Sequence, residues 1–304
     1  MNAAEASLRT VEAFYPRDPG TTHVLMLSPQ TELAASFFHY LKYTVLKYRY
    51  SATAKQKSLN LLGISLELPT SIPSNGGSFS PPASDTNFLP SSDDGESLPV
   101  FMWQAPSSNA ALYFGDKWAE FHSFLSNRLA VEEAPERISS HEKLISERYP
   151  SVMEYLLELM RARGYYLLYP AFPARGADAL VTIHTDLYQY PEEFSREGPT
   201  KPTGPDSIKE PSKPLITDSL EYSRFTEQPL SQASTLIPLL ELYSLDLPEL
   251  DNLPLLSYHG EEVSRAALVT DSKEYLRQFR VRYGGCPQEE SEAPSSTSLF
   301  CASD

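Results

Sequence analysis

Apolar positions along this chain fall into short runs and helical stripes separated by Pro and Gly. Leu8, Val11, Phe14 and Tyr15 are spaced for one face of a helix over residues 3–15, which Pro16 ends. The unbroken run Val24, Leu25, Met26, Leu27 predicts a strand, and Ser28-Pro29-Gln30 halts it. From residue 36 to 49 Phe37, Leu41, Val45 and Tyr48 recur every three or four positions, with Lys42, Lys47 and Arg49 elsewhere on the surface of an amphipathic helix. Residues 61–66, 100–103 and 110–114 read as further strands. Gly115-Asp116 opens a helix that turns Trp118, Phe121, Phe124 and Leu125 toward a core. Another helix lies between Pro150-Ser151 and Gly164, with Arg161 and Arg163 in its last turn, where cations suit the helix dipole. Strands follow at 165–169 and 180–184, and a last helix runs from an Asp271 N-cap to Tyr283, with Gly284 after it.

Strands alternating with helices predict an α/β layer architecture. Two stretches interrupt it. Residues 67–99 are rich in Pro, Ser, Gly and Asp and read as a flexible insertion, and residues 195–214 read as a polar, Pro-rich linker. The chain therefore divides into an α/β domain over 1–194, the linker, a C-terminal extension over 215–286, and a tail over 287–304 whose four acids and absence of bases predict disorder. Leucines recur between residues 236 and 258, but a leucine-rich repeat needs several copies of a fixed unit, so this stretch is expected to lie over the main domain.

Composition narrows the partners. Forty acidic and 25 basic residues give a formal charge of −15, which repels phosphate backbones and anionic lipid surfaces and excludes nucleic acid as the expected partner. No run reaches the ~18 apolar residues of a membrane span. The first residues, MNAAEASLRTVEAFYPRD, carry acids and lack a basic segment leading into an apolar one, so they do not read as a secretory signal. Two cysteines, Cys286 and Cys301, predict neither a disulfide framework nor a metal-binding cluster and leave the compartment undefined.

Several blocks, in order, carry a family likeness over residues 22–190. VLMLSPQTELAASFF corresponds to L-L-E-D-D-V-E-L-S-P-x-F, GISLE to G-I-S-L-Y, and SNAALYFGDKWAEFHSFLSNRL to S-W-G-A-x-Y-F-P-E-H-W-R-E-F-H-x-Y-L-x-x-R-L. EYLLELMRARGYYLLYP corresponds to Y-F-I-E-L-x-Y-L-R-G-Y-x-M-L-Y-P, and ALVTIHTDLYQ to S-L-S-T-N-H-L-E-V. In these blocks the chain resembles the fungal glycosyltransferase-2-like proteins, in a divergent branch that also has Ser-Pro at the acidic motif. The resemblance implies a partial nucleotide-diphospho-sugar transferase (GT-A-like) fold, because only about 23 residues precede the motif where the family has its nucleotide-binding strands.

That resemblance also implies a chemistry and shows where it is altered. In the family an acidic cluster and often a late histidine hold Mn2+ or Mg2+ against the diphosphate of a nucleotide-sugar, and a carboxylate base activates a glycan acceptor. Here Ser28, Pro29 and Gln30 stand at the acidic positions and only Glu32 keeps its carboxylate. His184, with Asp186 two residues on, matches the late position; a hydrogen-bonded structural histidine is the plainer reading, since a lone imidazole needs partners to hold a metal. Asp116 and Glu154 are the candidate bases, both also explained as acids favoured by a helix N-terminus. Asn109 and Tyr113 fall at the acceptor site, with Asn109-Ala110 in place of the family's Trp-Gly. Three functions follow as expectations: a glycosyltransferase-like protein with a degenerate metal motif, a non-catalytic scaffold on the same fold, or a metal-independent transferase using Lys42, Lys47, Arg49, Arg161 and Arg163. An incomplete sheet around 24–27 and 61–66 would further expose apolar strands, predicting self-association.

Overall fold

A computed structural model describes residues 3–34, 36–52, 54–82, 100–132, 144–145, 149–171, 180–183, 247–287 and 298–301. Helix α1 (Ala3–Ala13) leads into strands β1 (Val24–Leu27) and β2 (Thr31–Leu33). Helix α2 (Phe37–Val45) continues as a π-turn through Leu46–Tyr50, and the short α3 (Ala54–Lys57) follows. Strands β3 (Leu61–Ser65), β4 (Val100–Trp103) and β5 (Ala110–Tyr113) precede helices α4 (Gly115–Glu132) and α5 (Ser151–Arg163). The remaining elements are β6 (Tyr166–Pro170), β7 (Val181–Ile183), β8 (Leu255–Leu256) and α6 (Arg265–Arg282).

Six strands form one mixed sheet in the order β1-β5-β3-β6-β4-β8, and β2 pairs with β7 in a small second sheet. β3 and β6 are parallel, as are β4 and β8; the other neighbours are antiparallel. Helices α1, α4, α5 and α6 cover one face, where Trp103, Tyr113 and Tyr169 meet Trp118, Phe121, Leu156 and Phe279. On the other face Ile64, Met102 and Leu168 meet α2, the π-turn and Leu247, Leu250 and Leu253. Burial on both faces explains why β3, β4 and β6 read as unbroken apolar runs rather than as alternating ones. Gly63 lets β5 approach closely: a Cβ there would stand 2.1 Å from the Leu112 carbonyl oxygen.

The strands and helices lie close to their predicted places, and the differences have physical causes. Helix α6 starts at Ser264, not Asp271, because the Ser264 hydroxyl accepts from the Ala267 amide and caps the helix a full two turns earlier. The 67–99 insertion is packed over 67–82: Phe79 stacks on Trp103 with ring centroids 4.3 Å apart, and Ser71 bridges Ser78. The extension supplies an integral strand, β8, at the end of the sheet. Of the two strands expected to be uncovered, β3 is interior and fully buried, and only β1 is outermost, with Leu25 and Leu27 exposed. At the end of α1, Phe14 and Tyr15 point to solvent although their spacing marks them as apolar-face residues.

Four residues of the tail, 298–301, are placed in the structure. Cys286 and Cys301 are joined in a disulfide, and residues 298–301 lie on the helical layer instead of in a disordered tail. Leu299 is buried, and Phe300 packs against Phe124 and Phe279. A bridge spanning 15 positions is worth about 3 kcal/mol in loop entropy. Ordering four residues costs roughly 4–8 kcal/mol, comparable to what two apolar side chains regain, so the bridge decides the balance.

Between the helices lies a buried ion pair. Arg128 of α4 meets Glu158 of α5 at 3.2 Å, both almost wholly shielded from water, and its guanidinium lies 4.1 Å from the Tyr283 ring centre at the end of α6. Removing one member of such a pair leaves an uncompensated interior charge, whereas replacing both removes the desolvation cost as well. Arg128→Met is expected to lose about 3–5 kcal/mol in chemical denaturation, and the double change Arg128→Met/Glu158→Met to lose clearly less. Equal losses in the two variants would show that packing volume, not charge, dominates at this position.

Candidate functional site

Strands β1, β3 and β6 run in one direction, so their carboxyl ends meet at one rim of the sheet beside the amino ends of β4 and β5. In open α/β sheets ligands bind at such a rim. The turn after β1, which carries Ser28, Pro29 and Gln30, lies here together with Asn109. The Ser28 amide donates to the Asn109 carbonyl at 2.7 Å, and the Thr31 hydroxyl donates to the same oxygen at 2.8 Å. Ser28 Oγ and Thr31 Oγ1 are 2.9 Å apart. A Ser-Pro turn thus closes on itself and on Asn109 through Ser28 and Thr31.

Asn109 joins this turn to a residue that sequence reasoning passed over. Its Nδ2 donates to Glu67 Oε1 at 2.9 Å, and Glu67 follows directly after β3 in the GISLE segment. Glu67 as a residue is half-buried, but its carboxyl group lies deep enough that desolvation raises its pKa; hydrogen bonds from Asn109 and Ser107 partly oppose that rise. The signal was available in the sequence, where an acid directly follows the apolar run at 61–66. Nothing in the local pattern showed that the strand would end inside the protein.

Tyr113, Tyr149 and Tyr169 feel the Glu67 charge. Burial pushes the Tyr149 phenol up to about 12 and raises Tyr113 and Tyr169 as well, so all three stay neutral donors. Tyr113 donates to the Ser107 carbonyl at 2.6 Å and is fully buried, which removes it from any surface an acceptor touches. The Tyr169 hydroxyl donates to the Ala105 carbonyl.

Asp116 and Glu154 do not converge on this rim. Asp116 follows β5 and so lies at the opposite edge of the sheet, where Arg49 holds its carboxylate at 2.7 Å. Beside it the Gly115 amide donates to His23 Nδ1. Glu154 is buried in the first turn of α5 and accepts from the amides of Leu144 and Ile145, so both its oxygens hold a loop. Glu32 is exposed on β2 opposite Thr182. His184 and Asp186 lie outside the described residues, beyond Ile183, whose register partner is Thr31. Among the described residues no three His, Cys, Asp or Glu side chains are grouped to hold a metal ion, and the described part of the rim does not fit a diphosphate-bound cation.

Four of the five cations proposed to replace a metal are engaged elsewhere. Lys47 pairs with Glu249, Arg49 with Asp116 and Arg163 with Glu120, while Arg161 lies about 4 Å from the ring centres of both Tyr258 and Tyr275. No described helix is long and apolar enough to cross a membrane. These features define a protein of the α/β class with helices on both faces of a mixed six-stranded sheet. Comparison with protein-family models, with curated proteins and with solved structures finds no match to the chain.

The Glu67 carboxyl has a testable pH signature. Its folded pKa lies above the ordinary 4.5, so the folded state resists its ionisation, and stability falls as pH rises from about 4.5 through the folded value. Glu67→Gln keeps an oxygen for Asn109 and cannot ionise. In urea titrations the variant is expected to be more stable than the parent at pH 7.5, with the gap closing toward pH 4.5; a variant less stable at pH 7.5 would refute the burial argument.

Proposed function

We propose that this chain is a glycosyltransferase-like protein that keeps a partial nucleotide-diphospho-sugar transferase (GT-A-like) scaffold and serves as a non-catalytic interaction protein. The observation that carries this reading is the closed polar network at the rim. Ser28, Thr31, Asn109 and Glu67 spend their hydrogen bonds on one another, where metal-assisted transfer needs carboxylates aimed outward at a cation. Residue identity argues the same way, since Ser, Pro and Gln supply no hard anionic ligand for Mn2+ or Mg2+. The order of sequence blocks over 22–190 supports the transferase-like scaffold.

The leading alternative is an active enzyme that binds a nucleotide-sugar and a glycan acceptor, with Glu32, His184 and Asp186 completing a metal site. Calorimetry distinguishes the two. Titration with Mn2+ and a panel of UDP- and GDP-sugars is expected to give no saturable heat. Saturable micromolar binding that disappears in His184→Ala would overturn the proposal in favour of the enzyme.

Self-association belongs to the same proposal, through the outermost strand β1 and its exposed Leu25 and Leu27. Light scattering is expected to show oligomers that persist or grow as salt screens the charge of −15. A monomer at both low and high salt would remove β1 as a contact surface.

A further inference from the structure

Residues 298–301 form a short strap against the middle of α4 and the C-terminal end of α6. Leu299 is buried, and Phe300 meets Phe124 of α4 and Phe279 of α6 with ring centroids 5.7 Å apart in each case. Two hydrogen bonds finish the seat: the Cys301 amide donates to the Gly284 carbonyl at 2.9 Å, and the Arg280 side chain donates from Nη1 to the Ser298 carbonyl at 3.1 Å. At Gly284 a Cβ would stand 2.3 Å from the Leu299 oxygen and also 2.8 Å from Arg280 Cα, so the glycine serves both the strap and the end of α6. The strap fits closely against this surface.

Its one covalent tie is the Cys286–Cys301 disulfide. Cys286 is buried, whereas Cys301 is partly open to solvent. Arg280 Nη2 lies 3.5 Å from Cys301 Sγ, and a guanidinium beside a sulfur favours its thiolate. These features separate a reachable sulfur from a shielded one and place a cation where charge develops on reduction.

We propose that the Cys286–Cys301 bridge is a redox latch: oxidised, it pins the Leu299–Phe300 strap in the groove between α4 and α6, and reduction by a dithiol releases the strap and uncovers Phe124 and Phe279. One thiolate of the dithiol attacks Cys301 Sγ and expels the Cys286 thiolate. The second thiolate then attacks the sulfur bonded to Cys301 and expels the Cys301 thiolate, which Arg280 stabilises. The dithiol leaves as a disulfide, and its two protons are available to the two cysteines. Closing a 15-position loop favours the seated strap by on the order of 100-fold, so the bond controls occupancy of the groove while the sheet and its other helices remain in place. This inference does not depend on the transferase-like reading.

The full chain is tested in dithiol buffers of graded reduced-to-oxidised ratio, with alkylation and intact mass to count thiols, hydrogen exchange to follow 279–286, and an apolar dye to follow the groove. The oxidised chain is expected to show no alkylated cysteine; the reduced chain should show two, faster exchange confined to the end of α6, and a several-fold rise in dye fluorescence. Cys286→Ser/Cys301→Ser should match the reduced state. Leu299→Asp/Phe300→Ser should raise dye binding with the bridge still intact, which separates strap release from loss of the cysteines. Two free thiols in the untreated folded chain would overturn the proposal. So would identical exchange in both redox states, or loss of protection throughout the sheet on reduction, since the bridge would then be inert or a general staple.

Discussion

The helical layer is organised around a charge that has no access to water. Arg128 reaches from α4 to Glu158 on α5 while Tyr283 from the end of α6 lies over its guanidinium, so three helices are placed by one interior cation. A desolvated ion pair tolerates little displacement, because its attraction must offset a desolvation cost of several kcal/mol for each ion. Arg161, between Tyr258 and Tyr275, repeats the arrangement nearer the edge of the layer. Together these contacts bind the C-terminal helix to the domain that precedes it.

That binding changes what the C-terminal region is. An extension joined by a linker would be dispensable to the core, yet β8 adds to the sheet beside β4, and α6 lies against α5. The Trp103 indole donates to the Ser257 carbonyl, and the Tyr48 hydroxyl donates to the Pro248 carbonyl, so both faces of the sheet lean on residues far along the chain. The strap at 298–301 then lies against α4 and the end of α6. Layer and strand share one core, and the strap is fastened onto it by its disulfide.

The rim of the sheet is closed by a polar network of its own residues. The turn after β1 meets the start of β5, and a carboxylate follows β3. Their polar groups face inward onto one another, and the desolvated Glu67 is kept in place by Asn109 and Ser107. A satisfied network of this kind gives rigidity to the rim, while the hydrogen-bonding capacity left for a ligand is small.

The local elements were legible from the sequence because they rest on local physics. Trp118, Phe121, Phe124 and Leu125 follow a helical period and are all buried; Gly164 adopts the left-handed conformation that ends α5; the apolar runs at 24–27, 61–65 and 100–103 are strands. What failed were inferences that needed a distant partner. Asp116 and Ser28 appear in neighbouring motifs, but antiparallel pairing of β5 puts them at opposite rims, and no spacing rule carries strand direction. Tyr113 offered a hydroxyl on paper and spends it on Ser107, six residues away around a turn. Phe79 and Phe300 lay in segments whose Pro, Ser and acid content predicted disorder, and they are ordered because Trp103 and the Phe124–Phe279 groove give them apolar surface to bury. Composition measures what a segment brings to a contact. Only the tertiary structure decides what it meets there.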